Sequence, residues 1–283
     1  MVTEPERTDT VAAPDLSFAT QPGQAAAYRR HVQLQAIRAE RFADASADSL
    51  AGLLLMSVGF GREGAEMALA TIISGGTFLG IDPSTGHLKA AVRNGSCDFM
   101  VNTLDEALRV LKNELRKKKA LSVGLLAEAS PTLAAMVERG VQPNLVADIG
   151  PSQSETGEAH QSALVKLIER GAVTVDEPST NYFHASGFVE VVWTAANSAD
   201  LQRLDELALR QLPAEDSIRR RWLQQAPGYF HRQRPLQRVL GMHSEEVTRL
   251  AEAFQNAVSA GEIQSPVTVV RQTADGSKET IAL

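Results

Sequence analysis

Short apolar runs alternate with amphipathic stretches through the middle of the chain. The apolar runs lie at 53–60, 77–82, 97–101, 121–126, 144–149 and 172–175. The intervening stretches carry helix signals, such as the capping box Thr103-x-x-Glu106 ahead of a leucine-lined face. Strands that alternate with helices at this spacing predict an α/β fold, in which helices cover both faces of a parallel sheet.

The two ends of the chain differ from this middle part. Residues 1–24 contain few large apolar groups, which predicts a disordered tail. Residues 25–43 have the spacing of one amphipathic helix, which we expect to pack on the domain that follows. The last hundred residues or so predict a strand, three helices and a hairpin that joins 267–271 to 279–283. We therefore divide the chain into a tail (1–24), an α/β domain with its N-terminal helix (25–180) and a small C-terminal α/β lobe (181–283).

Composition and charge exclude several classes of function. The chain has 283 residues, 43% of them hydrophobic, and a net charge of −6, which argues against a nucleic-acid-binding surface. A single cysteine provides no disulfide framework and suits a reducing compartment, so we expect a cytoplasmic protein. The longest apolar runs are too short to span a bilayer, and no membrane role is indicated.

A glycine turn follows the first apolar run. Gly59, Gly61 and Gly64 form the pattern G-x-G-x-x-G where a strand meets a helix, and Asp82 follows about twenty residues later. In such turns the glycines let the backbone approach a pyrophosphate at the helix N-terminus, while the acid binds ribose hydroxyls. The pattern therefore indicates dinucleotide binding, although the same glycines could serve only to close a β–α connection.

Other candidate chemistry is sparse. The histidines are scattered, so no metal site is predicted, and Cys97 lies inside a predicted strand, where a thiol is usually inert. Asp148 ends a predicted strand and could bind a ligand or cap the next turn. Glu128 has a similar position, and its charge would repel a nearby phosphate. These residues, with the glycine turn and Asp82, are expected around one crevice at the carboxyl ends of the strands.

The segment 53–150 resembles the NAD-binding domain of urocanase, the urocanate hydratase family. The turn Gly59-Phe-Gly-Arg-Glu-Gly64 lies where the family has G-L-G-G-M-G, and Leu121-Ser-Val-Gly-Leu125 matches L-S-V-G-L. The stretch 138–146, E-R-G-V-Q-P-N-L-V, is similar to the family's R-R-G-V-x-P-D-x-V. The resemblance extends to residues 259–266, S-A-G-E-I-Q-S-P, near the family's return to its core domain.

The resemblance implies a Rossmann-like sheet with NAD as cofactor, which urocanases use as an electrophile and not as a hydride carrier. Carried over residue by residue, it suggests a set of cofactor-binding positions: Gly59, Gly61, Arg62, Glu63, Gly64, Asp82, His87, Glu128, Ala129 and Asp148. Several of them depart from the family pattern. Arg62 replaces a glycine, His87 an arginine and Glu128 an asparagine, and of the family's T-D-Q-T-S-A-H only Asp148 is kept.

The catalytic part of the resemblance is weaker, and no catalytic residue is assigned. The family's A-R-I-C-W segment corresponds to 235–241, which contains no cysteine, and one arginine of its G-R-D-H segment is kept, in Val270-Arg-Gln-Thr273. The chain has about half the length expected of a urocanase, so much of the core domain is expected to be missing. We expect an NAD-binding regulatory or partner subunit. The alternatives are a hydro-lyase that acts with a partner chain, and an interaction scaffold without ligand. The expected partners are a dinucleotide and either a second copy of the chain, in a homodimer, or a partner urocanase-like chain.

Overall fold

The computed structural model describes residues 22–42, 48–150, 157–176, 187–272, 277–281 and 283. Several predicted features lie outside these residues: the tail up to residue 21, the positions matching the end of T-D-Q-T-S-A-H, His184, and the hairpin turn at Asp275-Gly276. The described residues form a large lobe, which follows an N-terminal helix, and a C-terminal lobe.

A six-stranded parallel sheet forms the centre of the large lobe, as the sequence predicts. Its strands are β1 (Leu54–Val58), β2 (Thr77–Asp82), β3 (Phe99–Val101), β4 (Leu121–Leu126), β5 (Leu145–Asp148) and β6 (Val173–Thr174). The helices of this part of the chain are α1 (Gln24–Arg41), α2 (Arg62–Ile73), α3 (Thr85–Asn94), α4 (Leu104–Arg116), α5 (Ala129–Glu138) and α6 (Glu158–Glu169).

Helices cover both faces of this sheet because successive strand residues point to opposite faces. Leu54, Met56 and Val58 of β1 pack with α4, α5 and α6 on one face. Leu55, between them, packs with α2 and α3 on the other face. All residues of β1 and β2 are buried, as expected of central parallel strands.

The strand order β3-β4-β2-β1-β5-β6 places a switch point between β1 and β5. From β1 the chain first builds the sheet in one direction through β2 and then returns to add β5 on the other side. In open sheets of this kind a crevice forms at the switch point, beyond the carboxyl ends of the two strands. The glycine turn after β1 and Asp148 at the end of β5 both lie at this edge.

The C-terminal lobe is a four-stranded antiparallel sheet in the order β10-β9-β7-β8, packed against helices. Its elements are β7 (Val189–Ala195), α7 (Ser198–Gln211), α8 (Ser217–Phe230), β8 (Gln237–Met242), α9 (Ser244–Ser259), β9 (Val267–Gln272) and β10 (Lys278–Ile281). The pairing of β9 with β10 confirms the predicted hairpin strands. The strand β8 was not predicted from the sequence.

The N-terminal helix α1 packs on the domain that follows it, as expected, and it also packs on the C-terminal lobe. Tyr28 belongs to the core of the C-terminal lobe, and its ring centroid lies 5.0 Å from that of Trp222. Leu34, two turns later, belongs to the core of the large lobe. The helix α1 therefore joins the two lobes.

Candidate functional site

Two of the three glycines in the turn are required by close packing. Gly59 has a φ of +90°. A Cβ added there would lie 3.2 Å from the Ile149 carbonyl oxygen. A Cβ on Gly64 would lie 2.4 Å from the carbonyl oxygen of Gly59, a distance that no real contact allows. Gly59 and Gly64 therefore let the turn close against β5 and let α2 pack on the turn.

Gly61 differs because the space beside its Cα is open. A Cβ added there would meet only the His87 ring, at 4.0 Å. Gly61 is the N-cap residue of α2, and no side chain caps the helix, so the N–H groups of the first turn have no side-chain acceptor at this position. A negatively charged group can approach the backbone here.

Asp82 holds the glycine turn in place through hydrogen bonds. Its carboxylate is buried and accepts a hydrogen bond of 2.6 Å from the Phe60 N–H and one of 2.7 Å from the Ser84 N–H. The Nδ1 atom of His87 lies 3.0 Å from Oδ2 of Asp82. The acid predicted to bind ribose thus also fixes the turn and the start of α3. A carboxylate offers about four lone-pair positions, so it can still accept a ligand hydroxyl.

Phe60 anchors the turn in the core, a role that was not predicted. Its side chain is fully buried and packs edge-to-face on Phe78, with ring centroids 5.3 Å apart. The neighbouring strand makes room through Gly80, where an added Cβ would lie 2.2 Å from the Phe60 ring. The isolated glycine inside the β2 run is the sequence signal that could have indicated this close approach.

A cavity of about 460 Å³ adjoins the glycine turn, and we call it the turn cavity. Five of the predicted positions line it: Gly59, Asp82, His87, Glu128 and Ala129. Its volume lies in the range of about 300–1,000 Å³ that is typical of small-molecule sites. The structure therefore brings together residues from the loops after β1, β2 and β4, as expected for a crevice at the strand ends.

Two helix N-termini without side-chain caps line the turn cavity, and a third begins two residues after Gly59, which also lines it. The N-cap residues of α2, α5 and α6 are Gly61, Glu128 and Gly157, and none of them accepts a hydrogen bond from its own helix through a side chain. In contrast, Ser84 caps α3 by accepting from the His87 N–H. Uncapped N-termini present free N–H groups and partial positive charge, so this arrangement favours an anionic ligand.

His160 also lines the turn cavity and was not among the predicted site residues. It is buried in the first turn of α6, and its Nε2 lies 3.2 Å from Oδ2 of Asp148. Asp148 therefore reaches the turn cavity only through its contact with His160. Spacing alone gave no signal for His160, because its position depends on how α6 packs after residues 151–156.

Family comparison agrees with this geometry. The family model described as the urocanase Rossmann-like domain matches residues 33–157, and the model described as the urocanase C-terminal domain matches residues 182–280. The chain belongs to the urocanase family. The two matched segments correspond to the two lobes of the structure, and together they cover most of the chain.

The residues around the turn fit the dinucleotide that the urocanase resemblance implies. Gly61 leaves the backbone accessible, and three helix N-termini offer donors beside a cavity of suitable size. Arg62, His87 and Glu128 depart from the family's residues. The carboxylate of Glu128 replaces an amide, but this residue is exposed where it lines the cavity. Within the described residues, no cluster of three His, Cys, Asp or Glu side chains could hold a metal ion.

The other five predicted positions do not line the turn cavity: Gly61, Arg62, Glu63, Gly64 and Asp148. Glu63 and Asp148 line a second cavity of about 440 Å³ beside β5 and β6, which we call the edge cavity. Arg62 lines neither cavity; its side chain is largely exposed and pairs with Glu66, with an N–O distance of 3.2 Å.

The residues that correspond to the urocanase catalytic segments lie in the C-terminal lobe. The cysteine-free stretch 235–241 includes most of β8. Arg271, on β9, pairs with Glu279 of β10 and lines a groove of about 670 Å³ against α9, not the turn cavity. Cys97 is buried and donates to the Phe99 carbonyl, and burial raises its pKa to about 12, so the thiol stays protonated.

Proposed function

We propose that this urocanase-family chain binds NAD, or a closely related dinucleotide, at the glycine turn and serves as a regulatory or partner subunit without urocanate hydratase activity of its own. The pyrophosphate would lie at Gly61 and the N-terminus of α2, with the adenosine half in the turn cavity. Asp82 would accept a ribose hydroxyl, and Gly59 and Gly64 would hold the shape of the turn.

One observation carries the proposal: the uncapped N-termini of α5 and α6 line the turn cavity together with Gly59, and the uncapped N-terminus of α2, with its open glycine, follows two residues later at Gly61. A turn that only closed a β–α connection would need Gly59 and Gly64, which are tightly packed. It would not need a glycine at position 61, where a larger side chain would fit without a clash. The open Gly61 is explained by a ligand that approaches the backbone.

The structure around the missing cysteine supports the second half of the proposal. Cys97 is buried with a protonated thiol, and the stretch that corresponds to the family's cysteine segment is built into a buried strand. Arg271 is held by Glu279 in the C-terminal lobe. A chain that hydrated urocanate would therefore need reactive groups from a partner.

Native mass spectrometry of the purified protein tests NAD binding directly. We expect an added mass equal to that of NAD, either as purified or after addition of NAD. Gly61→Val should remove this mass because its side chain occupies the approach to the α2 N-terminus, while the fold is kept. Gly228→Val is the matched control, since Gly228 also faces open space but lies in α8 of the C-terminal lobe.

Position 61 is a sharper test than position 64. A side chain at Gly64 would collide with the Gly59 carbonyl, so loss of binding in Gly64→Val would reflect a broken turn. Equal NAD binding by wild type and Gly61→Val would sink the assignment of the glycine turn. A bare polypeptide that also ignores added NAD would favour the scaffold hypothesis, and loss of urocanate absorbance on mixing with a urocanase-like partner would favour the hydro-lyase hypothesis.

A further inference from the structure

The edge cavity contains a buried arginine that the NAD proposal does not use. Arg30 of α1 is only 3% exposed, and it lines this cavity together with Glu63 and Asp148. Its Nε atom has no hydrogen-bond partner within the part of the chain that the structure describes. Buried polar groups are nearly always hydrogen-bonded, so a buried guanidinium with an unused donor beside a cavity requires an explanation.

The ion pair of Arg30 does not supply that explanation. One terminal nitrogen of Arg30 lies 3.7 Å from Oε2 of Glu63, which is longer than a hydrogen bond, and the Glu63 side chain is 55% exposed. An exposed carboxylate at this distance gives little stabilisation and can turn to solvent. The guanidinium is therefore available to an anion that enters the cavity.

The cavity distinguishes Arg30 from the other arginines of α1. Among the described residues, Arg29 and Arg38 also have an Nε atom without a hydrogen-bond partner, although that of Arg29 lies 3.4 Å from a carboxylate oxygen of Glu190. Neither arginine lines the edge cavity. Arg38 is a close match for Arg30, since it forms a similar loose ion pair of 3.8 Å with Asp48. Arg30 differs from Arg29 and Arg38 because it lines the edge cavity.

One wall of the edge cavity is apolar. Val165 and Ile168 of α6 line it and are 50% and 41% exposed, two of the four most exposed large apolar side chains among the described residues. Leu164, Val146 and Val175 add further apolar surface. A ligand that covers this wall needs an apolar body.

The charges around the cavity select the kind of anion. A guanidinium binds a planar carboxylate through two parallel N–H donors, here Nε and one terminal nitrogen. Glu63, Asp148 and Asp176 also line the cavity, and their charges would repel a phosphate dianion more strongly than a carboxylate monoanion. We propose that the edge cavity is a binding site for a small carboxylic acid with an apolar body, and that Arg30 binds its carboxylate. The edge cavity shares Glu63 with the glycine turn, but Arg30 and the apolar residues that carry this proposal are not among the predicted cofactor positions, so the proposal does not depend on NAD.

Titration with benzoate, followed in the ¹H–¹⁵N spectrum of the arginine Nε–H groups, tests the proposal. The peak that is absent in Arg30→Lys should shift as benzoate is added to the wild type. Inorganic phosphate and acetate should cause smaller shifts at equal concentration, because phosphate is repelled and acetate lacks the apolar body. Arg30→Lys should weaken benzoate binding by about tenfold or more, since lysine offers no planar fork. Arg38→Lys should bind benzoate like the wild type.

A second variant protects the test against a folding defect in Arg30→Lys. Val165→Glu changes a half-exposed residue, so the fold should persist, and the added charge on the apolar wall should abolish benzoate binding. Val92→Glu, at a similarly exposed position outside the cavity, is its control. The proposal is overturned if benzoate leaves the Arg30 peak unmoved, if Val165→Glu binds benzoate normally, or if phosphate binds better than benzoate. Gly61→Val should keep benzoate binding while it loses NAD, which separates failure of this proposal from failure of the NAD proposal.

Discussion

Asp82 has a structural role that the sequence pattern does not show. The pattern places an acid at the end of β2 for ribose, but the structure shows that this carboxylate also holds the Phe60 and Ser84 N–H groups. Hydrogen bonds from backbone donors to a buried carboxylate are among the stronger ones in proteins. The turn and its candidate ligand therefore depend on the same charged group.

Asp82→Asn should destabilise the protein and weaken NAD binding together. The amide keeps one acceptor oxygen, but its NH₂ group would face a backbone N–H that now lacks an acceptor. We expect a loss of about 1–3 kcal/mol in the free energy of unfolding, measured by denaturant titration. Asp105→Asn, at a largely exposed position, should change neither property. Unchanged stability of Asp82→Asn would show that the two hydrogen bonds do not fix the turn.

His31 makes the stability depend on pH. It is fully buried, its Nε2 lies 3.1 Å from the Ile218 carbonyl oxygen, and its Nδ1 lies 2.7 Å from Oγ of Ser74. Since the carbonyl can only accept, the neutral ring donates through Nε2 and accepts the Ser74 hydroxyl at Nδ1. Burial lowers the pKa of His31 to about 4.

The unfolded chain therefore binds this proton more readily than the folded protein does. The contribution of His31 to the free energy of unfolding should be fully present above pH ~6.5, the ordinary histidine pKa. It should decrease as the pH drops towards 4, by about 3 kcal/mol in total. Denaturant titrations at pH 7 and pH 4.5 measure this loss. His31→Gln should show a smaller loss between these values than the wild type, whereas the exposed His231, changed to Gln, should leave the loss as it is. An identical loss in His31→Gln would assign the pH dependence to other groups.

At the scale of elements, the strands of the large lobe could be predicted from the sequence, whereas the contacts of α1 could not. Strand runs such as 121–126 are almost wholly apolar, so their burial in a parallel sheet could be inferred. The helix α1 instead buries Gln24, Arg30, His31 and Gln35, and no periodicity of apolar residues reveals that such a polar helix lies between two lobes. The position of Arg30 at the edge cavity was missed for the same reason.

The strand β8 was missed because a charged residue lies within it. Arg238 is 3% exposed, and its guanidinium donates to Asp205, whose other oxygen accepts from the Trp193 indole. The charge is paired in the interior of the C-terminal lobe, so the strand is buried without an apolar pattern. Such a pair depends on residues far apart in sequence and cannot be inferred from spacing.

Tyr28→Ala tests whether α1 holds the two lobes together. Tyr28 is 1% exposed and packs on Trp222, so the substitution leaves a cavity between α1 and the C-terminal lobe. We expect a loss of about 3–5 kcal/mol in the free energy of unfolding, as for other large aromatic truncations. Val92→Ala, 41% exposed on α3, should cost about 0.5 kcal/mol or less. A loss as small as that of the control would mean that α1 is only loosely attached.

At the scale of the whole molecule, the hydrophobic core of the C-terminal lobe includes residues of the large lobe. Leu69, Ile72 and Ile73 of α2 pack with Trp222 and its neighbours in the C-terminal lobe, while the same helix begins at the glycine turn. Every residue of α2 from Gly64 to Ile73 is buried. A ligand at the α2 N-terminus would therefore contact a helix that packs in both lobes.

This continuity predicts that NAD stabilises the lobe it does not touch. Both tryptophans, Trp193 and Trp222, lie in the C-terminal lobe, so their fluorescence reports the unfolding of that lobe. NAD at about a hundred times its Kd should stabilise the folded protein by about 2.7 kcal/mol and raise the tryptophan-detected Tm by several degrees, if the lobes unfold as one unit. Gly61→Val should remove the shift, and Gly228→Val should keep it. If far-UV circular dichroism shows an earlier, NAD-dependent transition that the tryptophans do not follow, the lobes unfold separately, and a regulatory signal from the crevice would end at α2.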